Sequence, residues 1–199
     1  MTGSAGLLLA AGAGRRMGRP KALVDLGGVP LARRALAALR DGGCGPLFVV
    51  LGAAADQVAA LLPPDAHPVH AADWSRGMGA SLRAGLAALA AAEPPPVAAV
   101  VHLVDLPGVG APAIARLVLA ATGPDALART VYGGVPGHPV LLGRSHWAAV
   151  ARRATGDSGA RGYLADHAGL ALVECADVAD PRDVDTPDSL RAFATRLPG

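Results

Sequence analysis

The residues able to do chemistry in this chain of 199 amino acids gather at a few points, and the densest is Ala10-Ala11-Gly12-Ala13-Gly14-Arg15-Arg16-Met17-Gly18-Arg19-Pro20-Lys21. Gly12, Gly14 and Gly18 let the backbone approach a phosphate closely, with amides turned inward as an anion nest. Arg15, Arg16, Arg19 and Lys21 add the positive charge that suits a triphosphate. Two common phosphate loops are disfavoured by spacing. The dinucleotide fingerprint G-x-G-x-x-G needs its third glycine at 17, not 18, and a helix where Pro20 interrupts. A Walker A loop needs Gly-Lys-Ser/Thr, whereas the chain reads Gly18-Arg19-Pro20-Lys21-Ala22. Lys21 is the one lysine among 18 basic residues. Its ammonium is a compact point charge able to follow a phosphate into the transition state, where arginine offers a rigid fork. The plainer alternative is a glycine-rich turn with solvated arginines.

Two carboxylate motifs stand far from that loop and from each other. Asp105-Leu106-Pro107 follows an apolar run, and Asp183-Val184-Asp185-Thr186-Pro187 precedes a helix that begins with proline and is capped by Thr186. Mg²⁺ is held by one or two carboxylates plus phosphate oxygens, so Asp105 and Asp185 are candidate ligands for Mg²⁺ or Mn²⁺. A turn cap for Asp105 and a helix cap for Asp185 are the structural alternatives. A third segment, Asp73-Trp74-Ser75-Arg76-Gly77-Met78-Gly79-Ala80-Ser81-Leu82, places glycines before a helix opening with Ser81, where amides could meet an anion or a base.

The elements that must position these residues follow from apolar patterning. Short Leu- and Val-rich runs predict strands over 6–10, 47–52, 67–71, 97–104, 128–132 and 170–174. Stretches of helical period predict helices over 31–40, 54–62, 80–92, 111–121, 146–153, 160–167 and 187–196. This alternation predicts one α/β domain over 1–199, Rossmann-like and three-layered, with a mostly parallel sheet. Pro139 after Gly133, Gly134 and Gly137 marks a short antiparallel excursion near 130–142, read as a hairpin or edge strand. In such a sheet the ligand sits beyond the carboxyl ends of the strands, where the three motifs fall.

Composition excludes more than it identifies. With 52% hydrophobic and only 3% aromatic residues, the core must be aliphatic, and the length suffices for one domain. A net charge of +2 with scattered arginines argues against a nucleic-acid partner. Cys44 and Cys175 form neither a disulfide framework nor a zinc motif, which points to a reducing compartment. The apolar start is too short to span a membrane and carries no basic segment before it, so a cytoplasmic protein is expected.

The loop Leu9-Ala10-Ala11-Gly12-x-Gly14-x-Arg16-Met17-Gly18-x-Pro20-Lys21 resembles the signature of the MobA/MocA-like nucleotidyltransferases, and its Leu-Ala-Ala-Gly opening resembles the molybdenum cofactor cytidylyltransferase branch. The resemblance continues through the 73–82 segment, with Asp73 in an asparagine position, and through Asp105-Leu106-Pro107, with Leu106 where many relatives show glutamine. Gly137-His138-Pro139-Val140, Gly156-Asp157-Ser158-Gly159-Ala160-Arg161 and the aspartates before Pro187 complete it. It implies a nucleotide-diphospho-sugar transferase type of fold and transfer of CMP from CTP to the phosphate of molybdopterin cofactor. Arg16, Lys21 and Asp105 would be catalytic; Ala10, Ala11, Gly12, Gly14, Gly77 and Ser81 would bind nucleotide with them, and His138 and Arg161 the acceptor. A molybdenum hydroxylase or its chaperone would be the downstream partner. A different phosphorylated acceptor such as a sugar or alcohol phosphate, the use of GTP, and a non-catalytic molybdopterin carrier remain alternatives; a carrier has no need of a triphosphate clamp.

Overall fold

The computed structural model describes residues 3–196. Seven strands form one sheet: β1 (Ser4–Leu9), β4 (Leu47–Leu51), β5 (Ala66–His70), β6 (Ala98–Leu103), β7 (Leu127–Tyr132), β8 (Val135–Gly143) and β9 (Ala171–Glu174). Their order is β5-β4-β1-β6-β8-β7-β9, and β8 alone runs against its neighbours. A separate two-stranded hairpin, β2 (Asp25–Leu26) with β3 (Val29–Pro30), was not legible in the apolar pattern because its strands are two residues each.

Side chains alternate across the sheet, as the period of two requires. On one face Leu8, Ala10, Val49 and Val100 pack with α1 (Leu31–Asp41), α2 (Ala55–Ala59), α4 (Ala111–Leu119) and α7 (Pro187–Ala194). On the other face Leu7, Val50, Val101 and Leu142 pack with α3 (Met78–Ala90), α5 (Trp147–Arg153) and α6 (Arg161–Ala165). The expected three layers and mostly parallel sheet are therefore present. Aromatic residues contribute little to either core, so the layers stay close: a Cβ at Gly85 of α3 would stand 2.7 Å from the Leu7 side chain.

The antiparallel excursion is a hairpin, and here the edge-strand reading is corrected. β8 lies inside the sheet between β6 and β7. Val140 and Leu142 enter one core while Leu141 enters the other, so both faces of this strand demand cover. The prolines are accommodated by an irregularity in the β7–β8 register between Arg129 and Val131.

Strand order decides where the site can be. β4 and β5 lie on one side of β1 and β6 on the other, so the winding reverses between β1 and β6. The loops leaving these strands diverge there and open a crevice at their carboxyl ends.

Candidate active site

The loop after β1 begins under restraint. Ala10 N donates to Val50 O at 3.0 Å, and Ala53 N donates to Ala11 O at 3.0 Å. Beyond that point the chain turns through Gly14, with φ of +61°, and a Cβ there would fall 1.9 Å from the Arg19 carbonyl oxygen. No side chain fits at that position. Lys21, in a short 3₁₀ turn (Lys21–Leu23), then points back to the strand ends.

Asp105 leaves β6 beside this loop, and Val184 N donates to Asp105 O at 2.9 Å, drawing the 183–187 segment alongside. Asp185 is held by the cap of α7. Ser189 N donates to Thr186 Oγ1 at 3.1 Å, and Ser189 Oγ accepts from Thr186 N and Asp185 N, each at 3.0 Å.

Three sequence-distant segments thus place their charges together. Lys21 Nζ donates to Asp105 Oδ2 at 2.7 Å and also contacts Asp185 Oδ1, while Arg16 meets Asp185 Oδ2 at 2.6 Å. The Lys21, Asp105 and Asp185 side chains are 17%, 21% and 17% exposed, so water reaches them only in part. Burial alone would lower the Lys21 pKa, but the two carboxylates outweigh it and hold the ammonium above its ordinary value. Burial would raise the Asp185 pKa, yet hydrogen bonding to Lys21 and the charges of Lys21 and Arg16 bring it below the usual range. Asp183, two residues earlier, is raised by burial and by the Asp185 and Asp105 carboxylates. It is a third acidic member of the cluster.

The donor chemistry fits a hard divalent cation. Asp105 Oδ1 is buried without a hydrogen-bond donor, and it shares the site with a second carboxylate. Among the described residues no group of three or more His, Cys, Asp and Glu forms a cage. A pair of aspartates completed by phosphate oxygens and water is the set Mg²⁺ and Mn²⁺ accept. Asp105 and Asp185 are the residues that would hold such an ion.

The crevice around this cluster has a volume of about 830 Å³. Ala11, Gly12, Gly14, Arg16, Lys21, Gly77, Ser81, Asp105, His138, Arg161 and Asp185 all line it, so eleven of the twelve residues singled out in the sequence converge. Ala10 does not: its side chain is 1% exposed and packed in the core beneath the loop. Arg19 is also placed otherwise than expected. Its guanidinium donates to Leu23 O at 3.0 Å, outside the crevice, because Pro20 turns the chain between Arg19 and Lys21.

The far wall is assembled from two glycine-containing segments. Gly77, with φ of +108°, leads into α3, where Gly79 N donates to Gly156 O at 2.7 Å and Met78 N donates to Asp157 Oδ1 at 3.3 Å. A Cβ on Gly79 would stand 2.7 Å from the Ala154 backbone, so the two segments dock without side chains between them. Asp73 is engaged by Arg83 at 3.3 Å. Leu106 packs with Val109, Ala113, Tyr132 and Cys175 instead of presenting a polar group. His138 faces the crevice from β8, and burial holds its pKa down at about 4, so the ring is neutral at physiological pH.

Sequence reasoning passed over two residues of this region. Asp183 could have been found from the Asp-x-Asp spacing, and Arg129 as a lone charge in an apolar strand.

Residues 6–171 match the family described as MobA-like NTP transferase domain. The chain is 36% identical over 197 residues to nicotine blue oxidoreductase of Paenarthrobacter nicotinovorans, covering 93% of each chain. It is 34% identical over 189 residues to molybdenum cofactor guanylyltransferase of Rhodobacter capsulatus, covering 92% of this chain and 86% of that one. The crystal structure of Rv0371C of Mycobacterium tuberculosis in complex with manganese superposes with a TM-score of 0.76 at 26% identity, over 98% of this chain and all of that one.

Proposed function

The chain belongs to the MobA-like NTP transferase domain family of nucleotidyltransferases, and from that premise we propose that it transfers CMP from CTP to the phosphate of molybdopterin cofactor, releasing pyrophosphate. The observation that carries this reading is the single lysine drawn between Asp105 and Asp185 at the mouth of the glycine loop. Such a cluster suits charge handling on a triphosphate and has no evident use in a carrier protein.

A phosphate oxygen of the acceptor attacks the α-phosphorus of CTP in line. The bond from that phosphorus to the oxygen bridging to the β-phosphate breaks, and pyrophosphate leaves with the bonding pair. Backbone amides of Ala11, Gly12 and Gly14 hold the triphosphate, with Ala10 anchoring the start of the loop. Arg16 and Lys21 balance the charge that develops on the leaving oxygens. Asp105 and Asp185 would hold Mg²⁺ or Mn²⁺, which when bound would supply further neutralisation of the triphosphate. Gly77 and Ser81 contact the nucleotide, and His138 and Arg161 the acceptor. No covalent enzyme intermediate is needed, so rate comes from positioning and electrostatics.

CTP is preferred over GTP on the Leu9-Ala10-Ala11-Gly12 opening, and a cytoplasmic molybdenum hydroxylase or its chaperone would receive the product. Among the described residues no helix is long and apolar enough to cross a membrane. Pyrophosphate release from each of the four NTPs, with and without molybdopterin cofactor, tests the reading. Release that requires both CTP and the cofactor is expected; equal release with a sugar phosphate alone overturns the acceptor.

A further inference from the structure

The end of the crevice away from the glycine loop carries a second group of positive charges that the transfer step at Lys21 does not use. Arg129 lies mid-strand in β7, half-buried, with Ala128 and Val131 packed into the cores beside it. Its Nε donates to Gly137 O at 3.0 Å, and among the described residues no carboxylate pairs with its guanidinium. Arg161, the first residue of α6, has no carboxylate partner among them either. Arg129 and Arg161 line one pocket, and burial together with the nearby Arg161 charge lowers the Arg129 pKa.

These two arginines, with His138, Asp157 and Ser158, line a side pocket of about 30 Å³. It adjoins the main crevice, with which it shares Met78, His138, Asp157 and Arg161. Asp157 is the pocket's one carboxylate, and its Oδ1 already accepts from Met78 N at 3.3 Å. Ser158 Oγ is likewise committed, to Thr155 O at 2.7 Å. His138, which lines both spaces, has its Nδ1 buried without a hydrogen-bond partner. A half-buried guanidinium without a counter-ion, near a second positive charge, costs free energy that a leucine at position 129 would avoid. An anionic ligand would relieve it.

We propose that Arg129 and Arg161 form a second anion subsite, separate from the triphosphate loop, which takes an anionic terminal group of the acceptor other than the phosphate that reacts. The inference rests on the transferase reading and narrows its substrate class: the acceptor carries negative charge at both ends. The pocket opens from the main crevice, and its free space of about 30 Å³ admits a small anionic terminal group such as an oxo-anion end. The oxomolybdenum end of molybdenum cofactor, opposite its phosphate, meets that description; a simple alcohol phosphate does not.

The test uses molybdate as a probe, titrated calorimetrically into the full chain, its Lys21→Ala form, Arg129→Leu and Arg161→Leu. Binding that survives Lys21→Ala and weakens tenfold or more in Arg129→Leu and Arg161→Leu is expected. Because Arg129 also bonds the hairpin backbone, Arg161→Leu on the exposed end of α6 is the variant that cannot be dismissed as unfolded. Unchanged molybdate binding in Arg161→Leu, or binding abolished by Lys21→Ala, overturns the subsite. CMP transfer to molybdenum cofactor separates this from the parent reading. If molybdate binding follows the arginines but no transfer occurs, the transferase reading fails and the subsite stands. If transfer proceeds with an acceptor KM that Arg161→Leu does not raise, the subsite fails and the transferase reading stands.

Discussion

Replacing Lys21 by methionine keeps most of the side-chain volume and removes only the ammonium, which separates its two consequences. In the free protein Lys21 holds Asp105 Oδ2 at 2.7 Å and contacts Asp185 Oδ1. Hydrogen bonds to charged groups contribute ~1.5–3 kcal/mol each. Water reaches these carboxylates in part, so about half of that sum is returned, leaving ~2 kcal/mol. A divalent ion competes with the ammonium for the same oxygens. Lys21→Met should therefore raise the Mn²⁺ affinity of the nucleotide-free protein by roughly 30-fold, at ~1.4 kcal/mol per tenfold. Turnover moves the other way. Loss of a preorganised charge at a developing oxyanion costs roughly 10²–10³ in kcat. Free Mn²⁺ measured by electron paramagnetic resonance, and pyrophosphate release on the same preparations, give both readouts. Lys21→Arg should not restore activity, because a planar fork cannot place one nitrogen between oxygens arriving from two chain segments. Unchanged Mn²⁺ affinity together with near-normal turnover in Lys21→Met would refute the reasoning.

Two further perturbations test the supports of the site. Ser189→Ala removes both the reciprocal half of the α7 cap and the acceptor for Asp185 N; a loss of about 1 kcal/mol in chemical denaturation is expected, with weaker metal binding, and an unchanged metal titration would show that Asp185 needs no such restraint. Glu174 accepts from the amides of Ala176, Gly133, Gly134 and Cys175, which hold its pKa below the ordinary 4.5 and clamp the β7–β8 turn. A lowered carboxylate pKa stabilises the fold above its unfolded value and loses that contribution as pH falls through the folded value. Glu174→Gln should thus lower Tm at pH 7, with the two melting curves converging below pH 4.5; a difference independent of pH would assign the effect to shape alone.

Much of this was legible before any coordinates, for physical reasons that also explain the gaps. Strands such as β1 and β6 are buried on both faces and so read as predominantly apolar runs, with Ser4 and His102 their only polar members. Their last residues identify the loop and Asp105 as neighbours of a crevice. The position of β8 was not legible, since a strand bearing Pro136, Pro139 and two glycines carries the marks of an edge, and only the pairing with β6 shows otherwise. Arg19 and Arg16 were indistinguishable by type; Pro20 separates their directions. Ala10 was nominated with its neighbours, but the alternation that places Ala11 at the crevice sends the Ala10 side chain into the core. Arg129 was passed over because a charge within an apolar strand has no local partner to betray its purpose.

The position of Lys21 follows from the energetics of the convergence itself. Reversal of strand order between β1 and β6 brings Asp105 to the glycine loop, and the return of the chain before α7 adds Asp183 and Asp185. Three carboxylates so placed repel one another, and the Asp183 pKa is raised first by burial and then by the Asp185 and Asp105 charges. A cation must therefore sit among them in every state of the site. In the free protein the ammonium does so, and it can give way when a triphosphate arrives with its own counter-ion. Several arginines elsewhere pair with surface aspartates, as Arg40 does with Asp65, where a fork is sufficient. Among the described residues, only at residue 21 is one charge shared between two separate carboxylates. In a chain that uses arginine for every other basic position, that requirement accounts for its one lysine.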